Sequence, residues 1–346
     1  MGANGTFSWR PIGPRDAADW AGLLADISAT DRDWEYFSEQ DLLDDFSDPD
    51  LDFPRGSMAV YHQRTMAGFG AVALRSAAEP VHEMRYQGGV HPAYRGRGLG
   101  GQLLDWAERA AIPLHQERYP GRPLTLSGSC LSHNAGAIAL YAAHGYRPSR
   151  WFHGMVRDLS AEIPEAPVPA GVEVVGLTPE RWEDARLIRN EAFRDHWGST
   201  ETSAAAWAHS MQASAFRPAL SFMAYAGAEP LSLVIGHEYE AYAAATGRRE
   251  FYVALVGTRR AGRGRGIASA LLQRALADAR AAGFTFASLG VDADSLTGAL
   301  GLYQRAGFTV EITTVTQTKP LLAGTAGPAP GAGRGAQPEG TPRGGH

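Results

Sequence analysis

The chain repeats itself, and the repeat limits its fold more than any compositional property does. The segment Val90-His-Pro-Ala-Tyr-Arg-Gly-Arg-Gly-Leu-Gly100 has a counterpart in Thr258-Arg-Arg-Ala-Gly-Arg-Gly-Arg-Gly-Ile-Ala268. Each opens an apolar helical pattern, Leu103, Leu104, Trp106 and Ala110 in the first and Leu271, Leu272, Ala275 and Ala279 in the second. Farther on, Ala137-Ile-Ala-Leu-Tyr141 with Gly145-Tyr146 corresponds to Ala299-Leu-Gly-Leu-Tyr303 with Gly307-Phe308. Arg95 and Tyr141 are 46 residues apart and Arg263 and Tyr303 are 40, a difference that a loop near His115 to Arg122 absorbs. Two features in the same order at similar spacing read as a tandem duplication of one domain, and 346 residues suffice for two domains of ordinary size.

Between the copies, Ala161-Glu-Ile-Pro-Glu-Ala-Pro-Val-Pro-Ala-Gly171 carries three prolines and no periodic apolar face, so it reads as a semi-rigid linker. The expected organisation is a domain over 1–160, the linker over 161–171, a second domain over 172–320 and a disordered Gly/Pro/Ala-rich tail over 321–346. Copy one predicts a strand at 7–12, helices at 17–27 and 39–46, and strands at 57–62, 66–74 and 83–90. A helix at 98–112, a strand at 124–129, a helix at 135–144 and closing strands through Leu159 follow. Copy two predicts the same order, with a central strand at 250–257, a helix at 266–282 and final strands to about Lys319. Both copies are of the α/β class with a mixed sheet, built around a strand, glycine turn and helix.

Composition removes several alternatives. The chain is 44% hydrophobic and 20% charged, ordinary for a globular protein. Its net charge of -5 argues against a nucleic-acid partner held by bulk positive charge, including RNA on the arginine-glycine turns. No stretch reaches the roughly 18 apolar residues of a membrane span and no signal peptide opens the sequence, so a cytoplasmic protein without a membrane partner, monomeric or homodimeric, is expected. Lys319 is the single lysine among 32 basic residues and there are 41 glycines, which suggests a GC-rich bacterial genome. A lone cysteine, Cys130, excludes disulfides and multi-cysteine metal sites and reads as a small hydrophobe; no metal is expected.

The repeated turn is itself chemically informative. Glycines let backbone approach a ligand closely, and the unpaired N–H groups and dipole of a helix start favour an anion. A pyrophosphate fits that description. Neither copy carries the Gly-Lys-Ser or Gly-Lys-Thr of a mononucleotide P-loop, and neither carries Gly-x-Gly-x-x-Gly.

With Arg-x-x-Gly-x-Gly/Ala opening the central helix twice, the chain resembles a tandem member of the GCN5-related N-acetyltransferase (GNAT) superfamily over about residues 7–320. In copy one, Pro92 and Asn134-x-x-Ala137-x-x-Leu140-Tyr141-x-x-x-Gly145-Tyr146 match the family pattern, whereas copy two has Ser295 where asparagine is frequent. The resemblance implies acetyl-CoA, or another short acyl-CoA, as cofactor and a small-molecule amine as acceptor, acylated by direct attack on the thioester. It assigns the cofactor to Val90, Arg95, Gly96, Arg97, Gly98, Leu99, Gly100 and Asn134 in copy one. In copy two it assigns Thr258, Arg263, Gly264, Arg265, Gly266, Ile267, Ala268 and Ser295. Tyr141 and Tyr303 take the place of the acid that protonates the departing thiolate. The alternative is a CoA-binding regulatory or scaffold protein with one or both domains catalytically silent.

The base is open between two carboxylates on the strands that lead into the turns. By strand parity Glu250 shares a face with Thr258, while Glu83 points away from the face of Val90 unless a bulge intervenes. With Tyr303 nearby in sequence, this leans the chemistry toward the carboxy-terminal copy. His237 and Glu238 form a secondary relay. The acidic run from Asp41 to Asp52 could attract a cationic amine, and Trp34, Tyr36, Phe37, His196 and Trp197 are aromatic candidates for lining acceptor pockets.

Overall fold

The computed structural model describes residues 6–33, 35–48, 51–74, 80–194, 201–295 and 298–324. Trp34, His196, Trp197 and nearly all of the tail expected to be disordered lie outside the described residues. In the first half the elements are β1 (Phe7–Arg10), α1 (Ala17–Asp31), α2 (Glu39–Asp45), α3 (Phe53–Gly56), β2 (Ser57–His62), β3 (Thr65–Ala73), β4 (His82–Val90), α4 (Leu99–Arg118), β5 (Leu124–Leu131), α5 (Ala135–Ala143) and β6 (Arg147–Asp158). In the second they are β7 (Glu173–Gly176), α6 (Trp182–Ala192), α7 (Ala204–Gln212), β8 (Phe222–Ala226), β9 (Glu229–His237), α8 (Glu240–Thr246), β10 (Glu250–Thr258), α9 (Ile267–Ala281), β11 (Phe286–Asp292), α10 (Ala299–Arg305) and β12 (Thr309–Leu322).

All of the strands join one mixed sheet in the order β1-β2-β3-β4-β5-β12-β6-β11-β10-β9-β8-β7. The two halves therefore exchange their last strands. β12 runs antiparallel to β5 of the first half, and β6 runs antiparallel to β11 of the second. The two exchanged strands also pair with each other at the centre. Side chains follow the backbone: Met155 and Leu159 from the end of the first half pack with Phe251, Leu271, Leu272 and Phe308 of the second. Leu321 and Leu322 pack in turn on the first-half core of Met84, Tyr86, Leu104 and Leu126. Lys319 Nζ on β12 lies 2.7 Å from Glu108 on α4, so the chain's one lysine ties the exchanged strand to its host. The exchange was not foreseen, because strand composition records neither partner nor register.

Helices cover both faces. On α1, Trp20, Leu23, Leu24 and Ile27 form an apolar stripe at helical spacing that packs with Phe69 of β3. On the other face, α4 buries Leu104, Ala107, Ala111 and Leu114. The predicted end of α4 at Ile112 proves too early. Pro113 sits inside the helix, which continues to Arg118 and buries His115. Burial along that last turn outweighs the roughly 3 kcal/mol a mid-helix proline costs. The segment between α1 and α2 docks on the second half, with Tyr36 against Tyr242 (5.9 Å between ring centres) and Phe37 against Tyr239 (5.5 Å). Asp44 Oδ2 accepts from Ser214 N (2.8 Å) and Ser214 Oγ (2.7 Å). Burial alone would raise this carboxyl, but those donors hold it below the usual aspartate range.

Because each half completes the other's sheet, we expect fragments 1–165 and 166–346 to aggregate when expressed separately and to copurify as a folded pair when coexpressed. A monomeric, cooperatively melting 1–165 fragment, seen by sedimentation and thermal melting, would refute this dependence.

Candidate active site

The two repeated turns fold alike. Gly96 and Gly98 have φ of +73° and +79°, and Gly264 and Gly266 have the same two values. Only glycine adopts this left-handed backbone freely. Gly98 and Gly266 are the caps of α4 and α9, neither helix start receives a side-chain cap, and α4 and α9 are 20 and 15 residues long. Each leaves its first N–H groups free for an anion. A Cβ placed on Gly96, Gly264 or Gly266 would meet nothing within 4 Å, so the space before the backbone is open.

The first arginine of each turn latches it. Arg95 Nε donates to Val90 O (3.1 Å) and Arg263 Nε to Thr258 O (3.2 Å). Arg95 also grips Asp31 through two hydrogen bonds of 2.7 and 2.8 Å, and Arg263 reaches Ala192 O. Arg97 lies over the Tyr94 ring, while Leu99 and Ile267 are buried anchors for their helices. Asn134 caps α5, its Oδ1 accepting from Ala137 N at 3.0 Å. In the second half Gly298, not Ser295, caps α10.

Between the strands that lead from these turns a gap opens. β4 and β5 pair from His82–Leu124 to Tyr86–Gly128, beyond which β4 continues along β3 to Val90 without β5. β10 and β11 part similarly after Tyr252–Ser288. A cleft of about 1040 Å³ runs from the first turn into the first gap. That is room for a cofactor-sized molecule and a small acceptor together. Tyr141 lines it, with its ring buried and its hydroxyl against β5, where a Cβ on Gly128 would lie 2.3 Å away. Burial pushes that hydroxyl well above its ordinary value, so it stays protonated and can donate. Cys130 also lines the cleft and burial pushes its thiol up to about 11, which keeps it un-ionised.

The lining is also acidic. Asp33, Glu35, Asp45 and Glu83 contribute to it, beside Asp31, already paired with Arg95, and together with Arg85 and with Tyr252, Thr314 and Thr316 from the second half. Ser127 Oγ donates to Glu83 Oε1 at 2.9 Å. Just before Glu83, buried His82 and His115 meet Nδ1 to Nδ1 at 2.8 Å, pinning the start of β4 to the end of α4. Such a contact needs one ring to accept, hence to be neutral there. The walls crowd Glu35 although its surface still faces the lumen. That desolvation, with repulsion from Asp33, pushes its carboxyl up to about 7, while Gln87 partly offsets the rise.

Strand parity needs correction. β4 carries no bulge against β3, whereas β10 is bulged against β9 between Val253 and Leu255. The bulge absorbs the extra residue of copy two, so Glu250, like Glu83, lies on the face opposite the residue that precedes its turn. That face packs on α1 in the first half: a Cβ on Gly89 would lie 2.6 Å from Ile27 Cδ1. Glu83 and Glu250 are therefore equivalent, and Glu250 has no better aim. Burial raises the Glu250 carboxyl, with Ser288 opposing. Tyr303 is buried in the second core, its hydroxyl pushed up to about 12. Leu289 stands where the first half has Gly128, so β11 presents a side chain where β5 leaves room for a tyrosine hydroxyl. Neither Tyr303 nor Glu250 lines the large cleft. Glu238 is held by Arg217 (2.8 Å) and Arg249 (2.6 Å), burial pushes the His237 imidazole down to about 4, and neither residue lines the large cleft. Glu35, between the aromatic candidates Trp34 and Tyr36, was missed; the aromatic cluster was its only signal.

The first-half turn, the gap, Tyr141 and the carboxylates thus share one cavity. Sequence profiles of the acetyltransferase (GNAT) family and of an acetyltransferase (GNAT) domain match residues 182–308 and 54–148 respectively. The chain is 33% identical over 258 residues to a mycothiol acetyltransferase of Thermobispora bispora, covering 73% of this chain and 79% of that one. It is 30% identical to a mycothiol acetyltransferase of Pseudarthrobacter chlorophenolicus, covering 70% and 71%. Among solved structures it is similar to a GCN5-related N-acetyltransferase from Sphaerobacter thermophilus, at a TM-score of 0.73 and 27% identity, covering 92% and 97%. A tandem GNAT protein from the clavulanic acid biosynthesis pathway shares the fold at a TM-score of 0.70 and 19% identity, covering 92% and 100%.

Both turns have the same open geometry, so calorimetry with CoA should find two sites per chain. Gly98→Asp and Gly266→Asp should each remove one of them, since each adds a carboxylate and a left-handed side chain costing about 1 kcal/mol. Retention of both sites in either variant would show that the turns are not where CoA binds.

Proposed function

This chain belongs to the GNAT acetyltransferase family, and we propose that its amino-terminal cleft carries out the transfer of an acetyl group from acetyl-CoA to the amine of a small, cationic molecule. The family makes the protein an acyl-CoA-dependent N-acetyltransferase; the acyl group, the acceptor and the residues at work are our reading. One observation carries it. A single cavity joins a glycine turn, parted strands, a protonated tyrosine and a wall of carboxylates. Of the two halves, the first favours chemistry, contrary to the lean toward Tyr303 and Glu250.

CoA lies along the gap, its pyrophosphate on the N–H groups that follow Gly98 and its thioester between β4 and β5. Beyond Tyr86 the β5-facing edge of β4 has no strand partner, which leaves backbone N–H groups for the thioester carbonyl as its oxygen gains charge. The acidic wall draws in an ammonium group. Such an amine, with a pKa of about 10.4, is neutral in only roughly one molecule in 2,500 at pH 7, so its proton must be removed. Glu35, titrating near neutrality, accepts it. The free amine attacks the carbonyl carbon, the carbon–sulfur bond breaks and the Tyr141 hydroxyl gives its proton to the departing thiolate. The second proton, left on the now cationic nitrogen, passes to Glu83, oriented by Ser127, and returns through solvent to the tyrosinate. The mycothiol acetyltransferases that this chain resembles make the amine they acetylate the first to test, beside amino sugars and diamines.

Thiol release from acetyl-CoA across an amine panel tests the reading directly; tight acetyl-CoA retention with no turnover would favour a binding module. For an accepted amine, Tyr141→Phe should lower kcat by the order of 10- to 100-fold with CoA affinity unchanged. The same loss from Tyr303→Phe alone would move the reaction to the second half. Because the Glu35 carboxyl is raised to about 7 and acts when ionised, kcat/KM should fall as pH drops through 7. Glu35→Gln should remove most of the rate and weaken that acid limb, the remainder following Asp45, whose carboxyl burial also pushes up to about 7. An unchanged limb in the variant would assign the base elsewhere.

A further inference from the structure

Behind the loop that carries Asp33 and Glu35 lies a second cavity, of 560 Å³, at the junction of the two halves. Arg32 and His133 of the first half and Arg248 of the second line it together, with Tyr36 and Tyr242 and one carboxylate, Glu311. The loop is a shared partition. Ser28 faces this cavity while its hydroxyl donates to Asp33 and to Glu35 O (3.1 Å), fixing the two acids on the other side.

The basic groups here are uncommitted. Among the described residues the Arg32 guanidinium has no hydrogen-bond or ion-pair partner, and neither has the His133 ring. The Arg248 guanidinium lies over the Phe286 ring at 5.0 Å and helps to lower the Asp158 carboxyl, without a hydrogen bond or ion pair among the described residues. Two arginines thus line the cavity with a single carboxylate. Arg32 also occupies a costly position. It ends α1 with φ 60° and ψ 48°, its N–H bonded to Ser28 O at 2.8 Å. Glycine is the usual residue at such a helix end, and Gln63 is the only other non-glycine with positive φ among the described residues. A left-handed arginine whose side chain has no hydrogen-bond or ion-pair partner among the described residues costs stability with no local return, which points to a role for the side chain.

We propose that this cavity binds an anionic oxygen group, a phosphate monoester or carboxylate, carried by the acceptor whose amine enters the adjoining cleft. Arg32 and Arg248 clamp the anion from opposite halves, His133 adds a donor, and Tyr36 and Tyr242 form its apolar side. The acceptor straddles the loop, cation toward Glu35 and anion toward Arg32. The anion site stands on its own geometry; its assignment to the acceptor rests on the proposed transfer reaction.

Inorganic phosphate is the probe, titrated by calorimetry into full-length protein already saturated with CoA, so that both glycine turns are filled. Saturable binding is expected in the wild type. Arg32→Gly and Arg248→Gln should each weaken it about tenfold or more, as loss of a charge-assisted hydrogen bond does, and Glu311→Gln should strengthen it. Arg32→Gly should at the same time raise the melting temperature, because it relieves the left-handed backbone, so lost binding cannot be read as misfolding. Equal phosphate affinity in wild type and in the Arg32→Gly, Arg248→Gln double variant overturns the site. A second arm compares CoA with dephospho-CoA. A wild-type preference for CoA that disappears in the double variant would give the site to the cofactor's 3′-phosphate and overturn its assignment to the acceptor. An unchanged preference, with phosphate binding lost, supports the acceptor.

Discussion

The pairing of β12 between β5 and β6 is the interaction on which the rest depends. It makes one sheet of two repeats, gives each half a core containing the other's last strand, and brings Thr314 and Thr316 to the wall of the first-half cleft. Once the exchanged strands meet at the centre, the loops of one half necessarily face those of the other. The contacts of Tyr36 with Tyr242 and of Asp44 with Ser214 follow from that placement. The lining of the cleft is therefore built by the whole chain.

Duplication has left two equal glycine turns and two unequal surroundings. Backbone angles at the four glycines agree, as the proposed anion on each helix start would require. Around them the copies have drifted: Gly128 faces Tyr141, and Leu289 fills the matching place near Tyr303. One side chain, absent at Gly128 and present at Leu289, separates a tyrosine hydroxyl beside a cavity from a tyrosine packed in a core. Retaining the binding element while the chemistry diverges is physically easy, since the two rest on different residues.

Local signals were legible in the sequence and non-local ones were not. The turns, their helices and the α/β class follow from short-range glycine spacing and apolar periodicity. The strand exchange does not, because any β-rich segment fits several partners. Strand parity misled at Glu250 because one bulged residue in β10 shifts every side chain that follows it to the other face. The helix end expected at about Ile112 came too early because tertiary burial of Leu114 and His115 carries the helix through Pro113. Glu35 was illegible for another reason: its importance comes from Asp33, Gln87 and the cleft wall, which the fold alone assembles.

The exchanged strands also set an order of events during synthesis. Phe152 on β6 finds its partners at Asp292 and Thr314, far downstream in the chain. At 5–20 residues per second, roughly 10 to 30 s separate the emergence of β6 from that of its neighbours. For that interval the nascent first half carries an open β5 edge and a strand with no sheet to enter, the kind of surface that invites aggregation. The architecture that unites the two halves thus makes the growing chain a natural client for chaperones, and delays a complete cleft until the last strand has left the ribosome.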